Sequence, residues 1–156
     1  MEREYVKGGE FLIADSTPAE VFTPEDFTDE HRMIGETCRE YIDNEVVPNL
    51  DALEKHAWEI ARDLLKKAGD LGLLGANIPE EYGGMALDQT SGVIIAEMVG
   101  RGSGFGSTYG AQTSIGLLPI LYWGSEELKQ EWIPKIISGE AVSAYCLTES
   151  SSGSDA

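Results

Sequence analysis

Apolar residues return every three or four positions through most of the chain, the spacing of helices with one buried face. Ile34, Cys38, Tyr41, Ile42 and Val46 keep that spacing and predict a helix over 29–47. Thr28 is placed to cap it, Asp29 and Glu30 suit its first turn, and Pro48 is expected to stop it. The clearest amphipathic stretch follows. Ala57, Ile60, Ala61, Leu64, Leu65 and Ala68 share one face, and Arg62, Asp63, Lys66 and Lys67 share the other. Gly69 and Gly72 offer left-handed exits from that helix. Residues 71–75 then form an apolar corner, and residues 79–84 read as a loop by their turn residues.

A third helix is predicted over 88–99 and a fourth over 106–122. The fourth is apolar nearly all round, with only Ser107, Gln112, Thr113 and Ser114 as polar groups, so it should be buried. Ser125 caps a fifth helix that Pro134 should break or kink and Gly139 should end. The period then changes. Val142, Ala144 and Cys146 alternate with Ser143, Tyr145 and Leu147, which predicts a strand. Ahead of all this, residues 1–22 read as irregular. Thr17-Pro18-Ala19-Glu20 and Thr23-Pro24-Glu25-Asp26 have the form of capping boxes. The expected fold is mostly α: five helices and one strand. A lone strand needs a partner, and residues 151–156 look like the beginning of something rather than its end.

Composition narrows the function. The 156 residues leave room for one domain with a core of its own. A net charge of −17 makes nucleic acids and anionic membrane surfaces poor partners. The longest apolar run, residues 115–123, contains Gly116 and Pro119 and falls short of the roughly 20 residues of a membrane helix. The N-terminus has neither a basic n-region nor an apolar h-region, so no secretory or transit signal is expected. Cys38 and Cys146 are far apart and in no metal-ligand pattern, which fits reduced thiols in a cytoplasmic setting and no metal site.

Three features could carry chemistry. Gly102-Ser103-Gly104-Phe105-Gly106 lacks the strand before it that a dinucleotide fingerprint needs, so it reads as a helix–helix connection. His31 and His56 have no nucleophile at a recognisable spacing and read as solvated or structural. Residues 145–156 run from the expected strand into a turn dense in hydroxyls, able to offer amides and Ser/Thr hydroxyls to a ligand.

Residues 146–155 have the pattern Cys-Leu-Thr-Glu-x-x-Ser-Gly-Ser-Asp, which resembles the first signature of the acyl-CoA dehydrogenase family. Residues 71–74, 78–84, 125–129 and 134–140 resemble blocks of that family's N-terminal helical domain, in the same order. The resemblance implies an N-terminal extension (1–22), a helical domain (23–140) and the opening of the middle β domain (141–156). It also implies FAD as cofactor. Tyr145, Cys146, Leu147 and Thr148 would lie along the flavin, and Gly153 would allow close backbone approach. Ser154 would bond to the pyrophosphate or to the acyl-CoA. Ser150 stands where the family usually has proline, which loosens the turn, and Glu149 would be structural.

The implied reaction converts an acyl-CoA to a trans-2-enoyl-CoA in fatty-acid β-oxidation. The family's catalytic glutamate and second flavin-binding stretch would lie beyond Ala156, so the chain holds no catalytic residue and should be inactive alone. Residues 114–124 and 151–156 look most like long- and very-long-chain members. Gly116 would then floor the acyl tunnel, or serve helix packing only. An electron-transfer flavoprotein would be the acceptor, and the parent enzyme a homo-oligomer. An acyl-CoA oxidase-like flavoprotein and a non-catalytic helical interaction module are the alternatives. In each case residues 142–147 should present an unpaired edge, and the helix over 106–122 should be poorly covered.

Overall fold

Thr28 opens the first long helix as its sequence predicts, in a computed structural model that describes residues 5–153. The Thr28 hydroxyl accepts from the His31 N–H at 3.1 Å, and the Thr28 N–H donates to His31 Nδ1 at 3.2 Å. Helix α1 spans Asp29–Tyr41. Because Nδ1 is the acceptor, the ring's proton sits on Nε2, which donates to Asp88 Oδ2 at 2.9 Å. The other Asp88 oxygen accepts from the Ser91 N–H at 2.8 Å and caps a second helix, Gln89–Val99. His31, only 7% exposed, therefore ties two helix N-termini together, which settles its role as structural. The two helices pack closely: a Cβ on Gly35 would stand 3.0 Å from Ile94 Cγ2.

Pro48 does not stop the chain's first helical run. After Tyr41 the backbone widens into a π-turn at Ile42–Val46, tightens through Val47–Asn49, and continues as α2, Leu50–Glu54. A proline ring clashes with the carbonyl four residues back in a regular α-helix, and a π-turn displaces that carbonyl. Asn49 Nδ2 donates to the Glu45 carbonyl at 2.8 Å. Helix α3, Trp58–Asp70, buries Leu64, Leu65 and Ala68 as its pattern predicts, and Gly72 leaves it with φ of 75°. The Tyr41 hydroxyl donates to the Leu64 carbonyl at 2.7 Å and joins α1 to α3. The capped helix Gln89–Val99 is α4.

The single helix expected over 106–122 is two. Helix α5 spans Gly104–Thr113 and α6 spans Leu118–Trp123. Ser114 leaves helical geometry at φ −119°, ψ −90°, and the Gly116 N–H reaches back five residues to the Ala111 carbonyl. Pro119, which has no N–H to give, sits in the first turn of α6, where none is needed. The glycine-rich stretch before α5 is the helix–helix connection its sequence suggests. Helix α7, Glu126–Ile137, runs through Pro134 without a break. Ile133, Ile136 and Ile137 are anchored in the core while Pro134 is exposed, so packing holds the helix and water can reach the carbonyl that lost its donor. Gly139 ends the turn at φ 73°; a Cβ there would lie 2.7 Å from Lys66 Cα of α3.

The described residues thus hold five long helices and two short ones around one core that includes Ile42, Leu64, Phe105, Leu117 and Ile133. The two early capping boxes form as expected, each opening a short 3₁₀ turn, at Pro18–Glu20 and Pro24–Asp26. The strand expected at 142–147 does not form. A strand needs a ladder partner, and among the described residues this run has none. No helix among the described residues is long and apolar enough to cross a membrane.

Burial alone would raise the Asp88 pKa. The Ser91 N–H, the His31 ring and the Ser91 hydroxyl outweigh burial and hold it below the ordinary 3.8. The stabilisation from this lowered pKa is complete above that ordinary value and is lost as pH falls through the lower folded value. Asp88→Ala should therefore cost about 1 kcal/mol near neutral pH through the lost cap. Urea denaturation of both proteins from pH 7 down to strongly acidic pH should show this difference shrinking. A difference that grows on acidification would contradict the clasp.

Candidate functional site

Gln112 is the one amide inside an otherwise apolar cluster of helix ends. It is 1% exposed, and burying a primary amide is costly unless its donors and acceptor are all used. They are. Nε2 donates to the carbonyl of Ile136 at 2.8 Å, at the end of α7, and to that of Ala141 at 2.8 Å. Oε1 accepts from the Ser143 N–H at 2.8 Å. The Ser143 hydroxyl donates to the Gln112 main-chain carbonyl at 3.1 Å. One side chain on α5 therefore fastens the end of α7 and the start of the run that follows it.

Gly116 completes this junction. A Cβ at Gly116 would stand 2.4 Å from Ser143 Oγ and 2.7 Å from its Cβ. The space a side chain would take is filled by Ser143, so the structure gives Gly116 a packing role at the root of the run.

Beyond Ser143 the chain comes to the surface. Tyr145 is 53% exposed and Leu147 49%, and Cys146 and Thr148 are exposed. Among the described residues, the N–H groups of Tyr145, Cys146, Leu147 and Thr148 donate to no protein acceptor. The run closes in a tight turn: the Glu149 N–H donates to the Ser152 carbonyl at 2.7 Å, and the Ser152 N–H returns to the Glu149 carbonyl at 3.3 Å. Gly153 follows, half-buried, with open space on the side a Cβ would occupy. Ser154 lies outside the described residues. The predicted cofactor residues are thus brought together as one exposed run, and no cavity encloses them among the described residues.

A separate groove of about 530 Å³ lies between α4 and the α5–α6 pair. Ala96, Gly110, Ser114, Leu118 and Leu121 are among the residues that line it, and a Cβ on Gly110 would meet open space. Tyr122, which also lines the groove, and Trp123, the last two residues of α6, are exposed.

The comparisons with known proteins bear on this arrangement directly. Residues 28–140 match the family described as "Acyl-CoA dehydrogenase, N-terminal domain". The chain belongs to the acyl-CoA dehydrogenase family. It is 53% identical over 150 residues to a "Probable acyl-CoA dehydrogenase" of Bacillus subtilis (strain 168), covering 96% of this chain and 25% of that protein. It is 38% identical over 128 residues to the human mitochondrial short-chain specific acyl-CoA dehydrogenase, covering 81% of this chain and 31% of that one. A crystal structure of an acyl-CoA dehydrogenase complexed with FAD from Bacillus anthracis superposes with a TM-score of 0.88 at 52% identity, covering 96% of this chain and 26% of that chain. The chain therefore spans between a quarter and a third of the length of these acyl-CoA dehydrogenases. Family membership bears out the resemblance read from residues 71–74, 78–84, 125–129, 134–140 and 146–155.

Sequence reasoning found the exposed run through its motif. It missed Gln112 as the junction and Asp88 as the partner of His31. Gln112 carried one available signal, an amide amid small and apolar neighbours on a helix expected to be buried. The two thiols differ sharply. Cys38 is fully buried, and burial pushes its thiol up to about 12, whereas Cys146 is exposed on the run. A thiol reagent should label Cys146 in the folded chain and leave Cys38 untouched until denaturant is added. Labelling of Cys38 under native conditions would contradict the packing of α1 on α4.

Proposed function

We propose that this chain forms the helical part of an FAD-dependent acyl-CoA dehydrogenase. It oxidises an acyl-CoA, preferentially a long-chain one, to the trans-2-enoyl-CoA in fatty-acid β-oxidation. The observation that carries this is the exposed run 145–153, rooted by Gln112 and Gly116, at the end of a helical domain of that family. The run suits one face of the cofactor. Tyr145 and Leu147 offer half-exposed apolar surface, and the free N–H groups of residues 145–148 with the Thr148 hydroxyl offer donors to polar edges. Gly153 has room for close approach, and Ser154 adds a hydroxyl toward the pyrophosphate or the acyl-CoA. When bound, FAD supplies the acceptor for the hydride that leaves the acyl β-carbon.

In this reading residues 1–22 are an extension, 23–140 the helical domain and 141–156 the opening of the middle β domain. The α-proton goes to a glutamate of the family's C-terminal helical domain, and residues 1–156 alone do not turn over substrate. The groove between α4 and α5–α6 falls in the size range of ligand pockets and suits an apolar tail. Its small lining residues favour a long acyl chain. Family membership supports an electron-transfer flavoprotein as acceptor and a homo-oligomeric enzyme. The unpaired thiols at Cys38 and Cys146 favour a cytoplasmic setting.

The test is a chimera in which this chain replaces the matching segment of the Bacillus subtilis relative. The purified chimera should retain FAD and oxidise palmitoyl-CoA faster than butyryl-CoA with an artificial electron acceptor. A folded chimera that retains no flavin would overturn the proposal. One that retains flavin but is fastest on butyryl-CoA would overturn the long-chain preference.

A further inference from the structure

A tie between α5 and α7 would need only one hydrogen bond from Gln112, the one to the Ile136 carbonyl. The other two go elsewhere, to the Ala141 carbonyl and the Ser143 N–H, on the segment that becomes the exposed run. The Ser143 hydroxyl adds a fourth link, to the Gln112 main chain, and the bare Cα of Gly116 lets Ser143 approach. The next two residues, Thr113 at the end of α5 and Ser114 just beyond it, line the groove between α4 and α5–α6. The C-terminal end of α5 thus faces the groove with these two residues and holds the run with Gln112. Ser143 is two residues before Tyr145 and five before Thr148, within roughly 17 Å even in a fully extended chain.

Resting on the function proposed above, we infer that Gln112 is a positioning residue. It sets where the flavin-facing run stands relative to the groove, and so aligns cofactor and acyl chain, without touching either. Its amide does this because one donor holds it to the end of α7 while the other donor and the acceptor engage two points of the run, fixing its direction as well as its distance. An apolar side chain of the same length fills the same space but leaves the Ala141 carbonyl and the Ser143 N–H unpaired, and the Ile136 carbonyl with only the Gly139 N–H.

Two measurements test this. In the chain itself, Gln112→Met should remove the hydrogen-exchange protection of the Ser143 amide while the helix content by circular dichroism stays the same. In the chimera, Gln112→Met should weaken FAD binding roughly tenfold and lower kcat, with KM for acyl-CoA unchanged and the bound flavin's absorption band shifted toward that of free flavin. Gln112→Glu, which keeps the acceptor for Ser143, should restore part of the Ser143 protection. Ser143→Ala, a milder change outside the core, should move FAD affinity in the same direction by a smaller factor and serves if the Met variant does not fold. A Met chimera with unchanged FAD affinity, spectrum and kcat overturns the inference alone. An unsubstituted chimera that folds without retaining flavin overturns the proposed function, and this inference with it.

Discussion

A buried amide at Gln112 joins the run that follows α7 to the helices behind it. The physics is one of obligation: an amide sealed from water must find partners for all its polar groups, and here the partners belong to two segments, the end of α7 and the run that follows it. Neither can shift independently of α5 without leaving a donor or acceptor of the amide unpaired. The rest of the junction follows. Gly116 must lack a side chain because Ser143 is drawn into that space, and α5 must end before Gly116 because the chain turns there to admit it. Residues 145–153 then reach the surface from a fixed root, although they have no ladder of their own.

A second clasp of the same kind joins α1 to α4. His31 completes the cap of α1 with one ring nitrogen and holds Asp88 with the other, while Asp88 caps α4. Both clasps use a polar side chain with two functional ends to fix two backbone termini at once. Between them lies an apolar core that supplies the bulk of the stability through burial without directional constraint. The hydrogen-bonded clasps supply the direction.

How far the sequence could be read depended on whether the signal was local. α3 and α4 were legible because an apolar face, a cap or a left-handed glycine all pointed the same way. The break between α5 and α6 was present as Gly116 and Pro119 but was outvoted by a continuous apolar run. Pro48 reads as a stop and Pro134 as a break or kink; a π-turn absorbs the first and core packing overrides the second. The strand at 142–147 had the right alternation, yet alternation cannot form a ladder without a partner. The candidate site was legible as a motif, residues 146–155, and not as geometry. The pairings that build it, 112 with 141 and 143, and the clasp of 31 with 88, join residues far apart in sequence, where periodicity carries no information.

The most direct test of the account is a titration of the isotopically labelled chain with FAD, followed through its backbone amide resonances. The account predicts weak, fast-exchanging shifts confined to residues 145–153 and the adjoining Ser143, with the glycine-rich connection at 102–106 unmoved. Shifts centred on residues 102–106, or no shifts at millimolar FAD, would contradict the claim that the exposed run is the flavin-facing surface.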